Sequence, residues 1–139
     1  MVSENIIKRK INAIHHSLER IRRYQDLSLE EFLAEEDARD IVTHNLFITL
    51  QNIIDIGTHL ISDLGLEEPD FLTEIPGILV KEKIIGVQLE KPIKAMIGLR
   101  NIIAHEYGDL NFKIIYTILT TELGDVDQFL TNIINYCRL

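Results

Sequence analysis

A chain of 139 residues, 46% of them hydrophobic, is long and apolar enough to bury a core, which excludes a disordered chain. With 14 basic against 22 acidic residues the net charge is −8, which excludes binding by blanketing phosphates but leaves room for a local basic site. The single cysteine, Cys137, excludes an internal disulfide framework; no apolar run reaches the roughly 18 residues of a membrane span, and MVSENIIKRKIN lacks the apolar core of a signal peptide, so a cytoplasmic protein is expected.

The first helix is expected from about Asn5 to Gln25, because Ile7, Ile11, Ile14, Leu18 and Ile21 recur in steps of four and three. After a break at Asp26 and Leu27, Ser28-Leu29-Glu30-Glu31 has the spacing of a capping box and starts a short helix to Ala34. Asp37 begins a long helix through Leu64, ended by Gly65 in the position that favours a left-handed residue. GLEEPDFLTEIPG is the main loop. Pro76 belongs in the first turn of a short helix from Thr73 to about Glu82, and Pro92 in the first turn of another that begins near Leu89. That helix is expected to run to Gly108. Asn111 can cap a last helix carrying Ile114 to Ile134. No stretch alternates as a strand does, and nothing divides the chain. The expectation is an all-α bundle with short connections, one domain over residues 1–139.

Charge is segregated along the chain: Lys8, Arg9, Lys10, Arg20, Arg22 and Arg23 precede Glu30, Glu31, Glu35, Glu36, Asp37 and Asp40. The basic set reads either as solvated helix surface or as a path for a phosphate backbone. His15, His16, His44 and His59 read as structural, His44 and His59 at the surface or boundary. None of the histidines has metal-ligand spacing, no glycine-rich loop could cradle phosphates, and Cys137 reads as a packed or idle thiol. Neither a metal nor a cofactor is expected.

One stretch departs from the pattern: GLRNIIAHEYGDLNF, residues 98–112. Arg100 is followed by Asn101, then His105 and Tyr107. Metal-free RNA cleavage needs a base for the 2′-hydroxyl proton and a cation to offset charge on the phosphate. Histidine titrates near neutrality and suits the first role; arginine forks onto phosphate oxygens and suits the second. Asn101 could orient either partner or hold a sugar or phosphate. On an unbroken helix, however, five residues leave about 140° between Arg100 and His105. Either the helix loosens near His105 or the arginine wraps toward it. The same four residues could equally do no more than cap carbonyls and satisfy each other at a helix end.

R-x4-H-x-Y with Asn after the arginine and an apolar run before it resembles the motif of the HEPN superfamily, and within it the HepT toxins, partners of minimal nucleotidyltransferase (MNT) antitoxins. EEPDFLTEIPGIL, KEKIIG and LEKPIKAMIGLRNIIAHEYGDLNFKIIYTILTTELGDVDQFL resemble that family's second half in order and spacing; the first two helices fit in pattern. The resemblance implies an all-α HEPN-type bundle, a homodimer in which the motifs of two protomers meet, and metal-independent endoribonuclease activity leaving cyclic-phosphate ends on RNA. It implies that Arg100 and His105 are catalytic, that Asn101 supports them, and that Tyr107 is the tyrosine the antitoxin modifies with AMP, as in a type VII-like toxin–antitoxin pair. Glu106, between His105 and Tyr107, would repel phosphate unless turned away. Glu106 and the net charge of −8 favour the alternative, a non-catalytic helical partner and AMP acceptor of a nucleotidyltransferase.

Overall fold

The computed structural model describes residues 3–139, except the side chain of Tyr107. Helix α1 (Glu4–Arg22) forms along the apolar stripe, and Ile7, Ile11, Ile14, Leu18 and Ile21 are all buried. Each such side chain contributes roughly 1.5–3 kcal/mol on burial. Helix α1 stops before Gln25, where it was expected to end. Residues 23–25 unwind through bonds three residues back, Arg23 to Arg20, Tyr24 to Ile21 and Gln25 to Arg22. Helix α2 (Leu29–Ala34) opens on the expected capping box: Ser28 Oγ accepts from the Glu31 amide at 3.1 Å, and Glu31 accepts from the Ser28 amide at 3.0 Å.

Helix α3 (Glu36–Asp63) is the spine, 28 residues and about 42 Å long. It packs antiparallel to α1. The Ser3 amide donates to Asp63 at 2.8 Å near one end, and Lys10 pairs with Asp55 at 2.9 Å further along. Gly65 takes a φ of +64°, and the Leu66 amide reaches back to the Ile61 carbonyl, which terminates α3 as expected. A 3-10 turn, Leu72–Glu74, leads into α4 (Ile75–Lys81), with Pro76 in its first turn. Gly57 lets α4 approach α3. A Cβ there would lie 2.4 Å from Cγ2 of the buried Ile75.

A second 3-10 turn, Val87–Leu89, feeds α5 (Glu90–His105). This helix ends at His105, not at Gly108. Glu106 leaves the helix with φ −133°, its amide still bonded to the Ile102 carbonyl, and Gly108 lies in the 3-10 turn Tyr107–Asp109 without a left-handed φ. The last helix was expected to be continuous and is not. Asn111 caps α6 (Phe112–Thr117) by accepting from the Lys113 amide; a π-turn, Ile118–Glu122, follows, and then α7 (Leu123–Cys137). Three threonines accompany the change. The hydroxyls of Thr117, Thr120 and Thr121 donate to carbonyls four residues back, in competition with the backbone ladder. All seven helices contribute to one buried cluster, and no strand occurs among the described residues.

Candidate active site

Helix α5 carries the motif. Leu99 and Ile103 face the core, so Arg100 emerges at the boundary, half-buried, directed toward α3. Its Nε donates to Gln51 Oε1 at 2.8 Å, and its Nη1 donates to Asn101 Oδ1 at 2.8 Å. The guanidinium carbon lies 5.6 Å from the centre of the Phe47 ring. Behind it runs a relay. Gln51 Nε2 donates to Asp55 Oδ1 at 3.0 Å, and Lys10 Nζ donates to Asp55 Oδ2 at 2.9 Å. An ionised carboxylate only accepts, so Asp55 turns the amide nitrogen of Gln51 toward itself and the amide oxygen toward Arg100. Lys10, Asp55, Gln51, Arg100 and Asn101 thus tie α1, α3 and α5 together. The Nη2 edge of Arg100 has no hydrogen-bond partner among the described residues.

His105 is the last residue of α5 and is exposed. The helix stays regular up to it, so along α5 the two residues keep the angular separation of a regular helix. The helix loosens only after His105, and the arginine extends to Gln51 instead. The two side chains leave α5 on faces about 140° apart. Asn101 is half-buried and engaged with Arg100, one of the roles read for it. Glu106 is exposed. Tyr107 begins the turn after the helix, and the expectation that its hydroxyl is accessible falls outside the described residues.

Sequence reasoning missed two residues against Arg100, Phe47 and Gln51. The signal was there, since Asp40, His44, Phe47 and Gln51 follow steps of four, three and four on one face of α3. Two clefts open along this face. One, about 570 Å³, is lined by Asp40, His44, Phe47, Ile103 and Ala104. The other, about 390 Å³, is lined by Arg20, Arg23, Tyr24, Asp40, Ile41, His44 and Asn45. They share Asp40 and His44. On the far side of α5 runs a different stripe: Lys91, Ala95, Gly98, Ile102 and His105, in steps of four and three. Ile102 is 44% exposed there, and among the described residues a Cβ at Gly98 would meet nothing within 4 Å beyond its chain neighbours and its own helix backbone. Among the described residues no helix is long and apolar enough to cross a membrane.

Residues 14–133 match the model of the family described as ribonuclease HepT-like. The chain belongs to the HepT-like family. It is 32% identical over 127 residues to the mRNA nuclease HepT of Shewanella oneidensis, covering 91% of this chain and 94% of that protein. To the tRNA nuclease HepT of Aphanizomenon flos-aquae it is 27% identical over 133 residues, covering 94% and 89%. Among solved structures, the tri-AMPylated Shewanella oneidensis HEPN toxin in complex with MNT antitoxin matches with a TM-score of 0.84 at 31% identity, over 96% of this chain and 98% of that one. YutE of Bacillus subtilis matches with a TM-score of 0.86 at 18% identity, a likeness of fold. The bundle is therefore of HEPN type.

Proposed function

We propose that this HepT-like protein is the RNA-cleaving toxin of a type VII-like toxin–antitoxin pair, that it acts in the cytoplasm as a homodimer, and that a cognate MNT nucleotidyltransferase silences it by transferring AMP to Tyr107. The observation that carries the reading is the arginine. Arg100 is held on two sides by Gln51 and Asn101, its Nη2 edge without a partner among the described residues, on the helix that ends in His105. Such a preorganised cation suits charge that develops on a phosphate during reaction.

The chemistry follows from the two side chains. A His105 imidazole takes the proton of a ribose 2′-hydroxyl. That oxygen attacks the adjacent phosphorus, Arg100 offsets charge on the non-bridging oxygens, and the bond to the 5′-oxygen breaks. A second imidazole gives that oxygen a proton, leaving a 2′,3′-cyclic phosphate and a 5′-hydroxyl. Each step uses only protein groups, so the reaction is metal-independent.

One chain offers one histidine, on the wrong face for its own arginine. A two-fold partner supplies both the second imidazole and a new geometry. The stripe of Ala95, Gly98, Ile102 and His105 supports α5 against α5 as the contact, since it is exposed, small in the middle and ends in the histidine. The relatives named above support the RNA substrate and the MNT partner. Transfer of AMP from ATP to the Tyr107 oxygen, with release of pyrophosphate, would place a bulky anion two residues from His105 and compete for Arg100.

The test is RNA cleavage by wild type and His105→Ala, with and without EDTA. Cleavage that survives EDTA and vanishes in the variant supports the reading. Equal cleavage or growth arrest by the variant refutes it.

A further inference from the structure

The two clefts along α3 share Asp40 and His44; the outer one reaches the C-terminal end of α1, and the inner one is lined by Phe47, whose ring lies under the Arg100 guanidinium. The cations of this region are not equivalent. Lys10 is committed to Asp55, and Arg22 to Asp127 at 2.5 Å. Arg20 and Arg23 are exposed, and both line the outer cleft. Arg20 has no partner among the described residues; Arg23 has only a loose contact with Glu19 at 3.9 Å, with both side chains largely in solvent. Such a contact is worth little and yields readily to a phosphate. They stand three residues apart at the end of α1, where the Arg23 amide, just past the last helical residue, donates to the Arg20 carbonyl.

Next along the cleft is Tyr24, whose ring offers a surface for a base. His44 then belongs to both clefts, exposed and without a partner among the described residues. Phe47 follows, under the guanidinium of Arg100. Asp40 also lines both clefts, and its carboxylate has interactions of its own. In a chain of net charge −8, two exposed arginines followed by the rings of Tyr24 and Phe47 along the channel formed by these adjoining clefts are a local exception, and Phe47 brings it beside the arginine read as catalytic.

We propose that this channel binds single-stranded RNA flanking the scissile bond, with backbone phosphates on Arg20 and Arg23, a base against Tyr24, and His44 as a polar contact on the way to Arg100. The inference rests on the ribonuclease reading. Its function is retention of the strand, and it takes no part in bond making or breaking.

The test uses the full-length protein and a fluorescent twelve-nucleotide RNA of mixed sequence, 2′-O-methylated so that it cannot be cleaved. Fluorescence anisotropy compares wild type, Arg20→Gln/Arg23→Gln and a control that loses the same charge elsewhere, Lys8→Gln/Lys81→Gln; circular dichroism checks that each is folded. In the channel variant, affinity at low salt falls about tenfold, and the slope of log affinity against log salt drops by about 1.4, as for two lost single-strand phosphate contacts. The control behaves as wild type. Equal weakening in both variants, no weakening in the channel variant, or no binding by wild type overturns the channel. Cleavage of cellular RNA by wild type, scored separately, decides the nuclease reading. A wild type that binds through the channel but does not cut sinks that reading and leaves the channel standing.

Discussion

Gln51 Oε1 accepts a 2.8 Å hydrogen bond from Arg100 Nε across 49 residues of sequence. The amide is set by Asp55, and Asp55 by Lys10. Arg100 therefore has its direction fixed by α3 and α1 as well as by its own helix. Replacing Gln51 by Leu keeps the volume and removes the acceptor. We expect kcat to fall by roughly ten- to a hundredfold, the scale of a small misplacement of a catalytic group, with KM little changed. Asp55→Asn should do less, because an amide can still accept from Gln51. Steady-state kinetics on a cleaved RNA checks the split; a Gln51→Leu enzyme with unchanged kcat would remove Gln51 from the site.

Gly98 is expected to matter only between chains. Among the described residues, nothing beyond its chain neighbours and its own helix backbone comes within 4 Å of a Cβ there, yet glycine within a helix costs about 0.5–1 kcal/mol relative to alanine. Gly98→Arg should fold at least as stably as wild type, run as a monomer in light scattering, and lose cleavage with the partner's histidine. A dimer that persists in this variant would move the interface off this face of α5.

Co-expression with an MNT antitoxin and ATP should add whole AMP units to the chain, seen by intact mass, and Tyr107→Phe should abolish the addition while leaving cleavage. Modification that survives in Tyr107→Phe would transfer the switch to another residue.

Two carboxyls are held below the usual carboxylate range by backbone amides: Glu31 chiefly by the Ser28 N–H, Asp63 chiefly by the Ser3 N–H. A depressed folded pKa means that the stabilisation is full above the ordinary carboxylate range and is lost as pH falls through the folded value. Thermal melts should therefore lose stability on the acid side, and Glu31→Gln/Asp63→Asn should flatten that limb. A double variant with the wild-type acid profile would show that neither contact contributes in solution.

Gly57→Ala should be destabilising by about 1–3 kcal/mol, because its methyl would overlap Ile75 and outweigh the gain in helix propensity. Adding Ile75→Ala should make the pair cost less than the sum of its parts in chemical denaturation. Strict additivity would mean that α4 shifts freely on α3.

Features written locally could be read from the sequence. The isoleucine stripe of α1, the Ser28 box, Gly65, the two prolines and the Asn111 cap each need only neighbours within a few residues, and each appears in the fold. The π-turn was not legible, because helix-period apolar spacing continues on both sides of it, from Ile114 to Leu119 and from Leu123 to Ile134. At the site, the motif named Arg100, Asn101 and His105 but not what holds them. Gln51 belongs to a stripe whose meaning depends on which helix lies opposite, and no spacing within α3 states that.

Both groups that hold Arg100 are amides, and the acid behind them, Asp55, is paired with Lys10. A carboxylate in the place of Gln51 would fix the guanidinium at least as firmly, but it would also cancel its field. An electroneutral mount clamps the arginine while leaving its full unit of charge to act outward. Gln51→Glu therefore separates two properties that are usually lost together: the arginine should stay in place and yet be blind to phosphate.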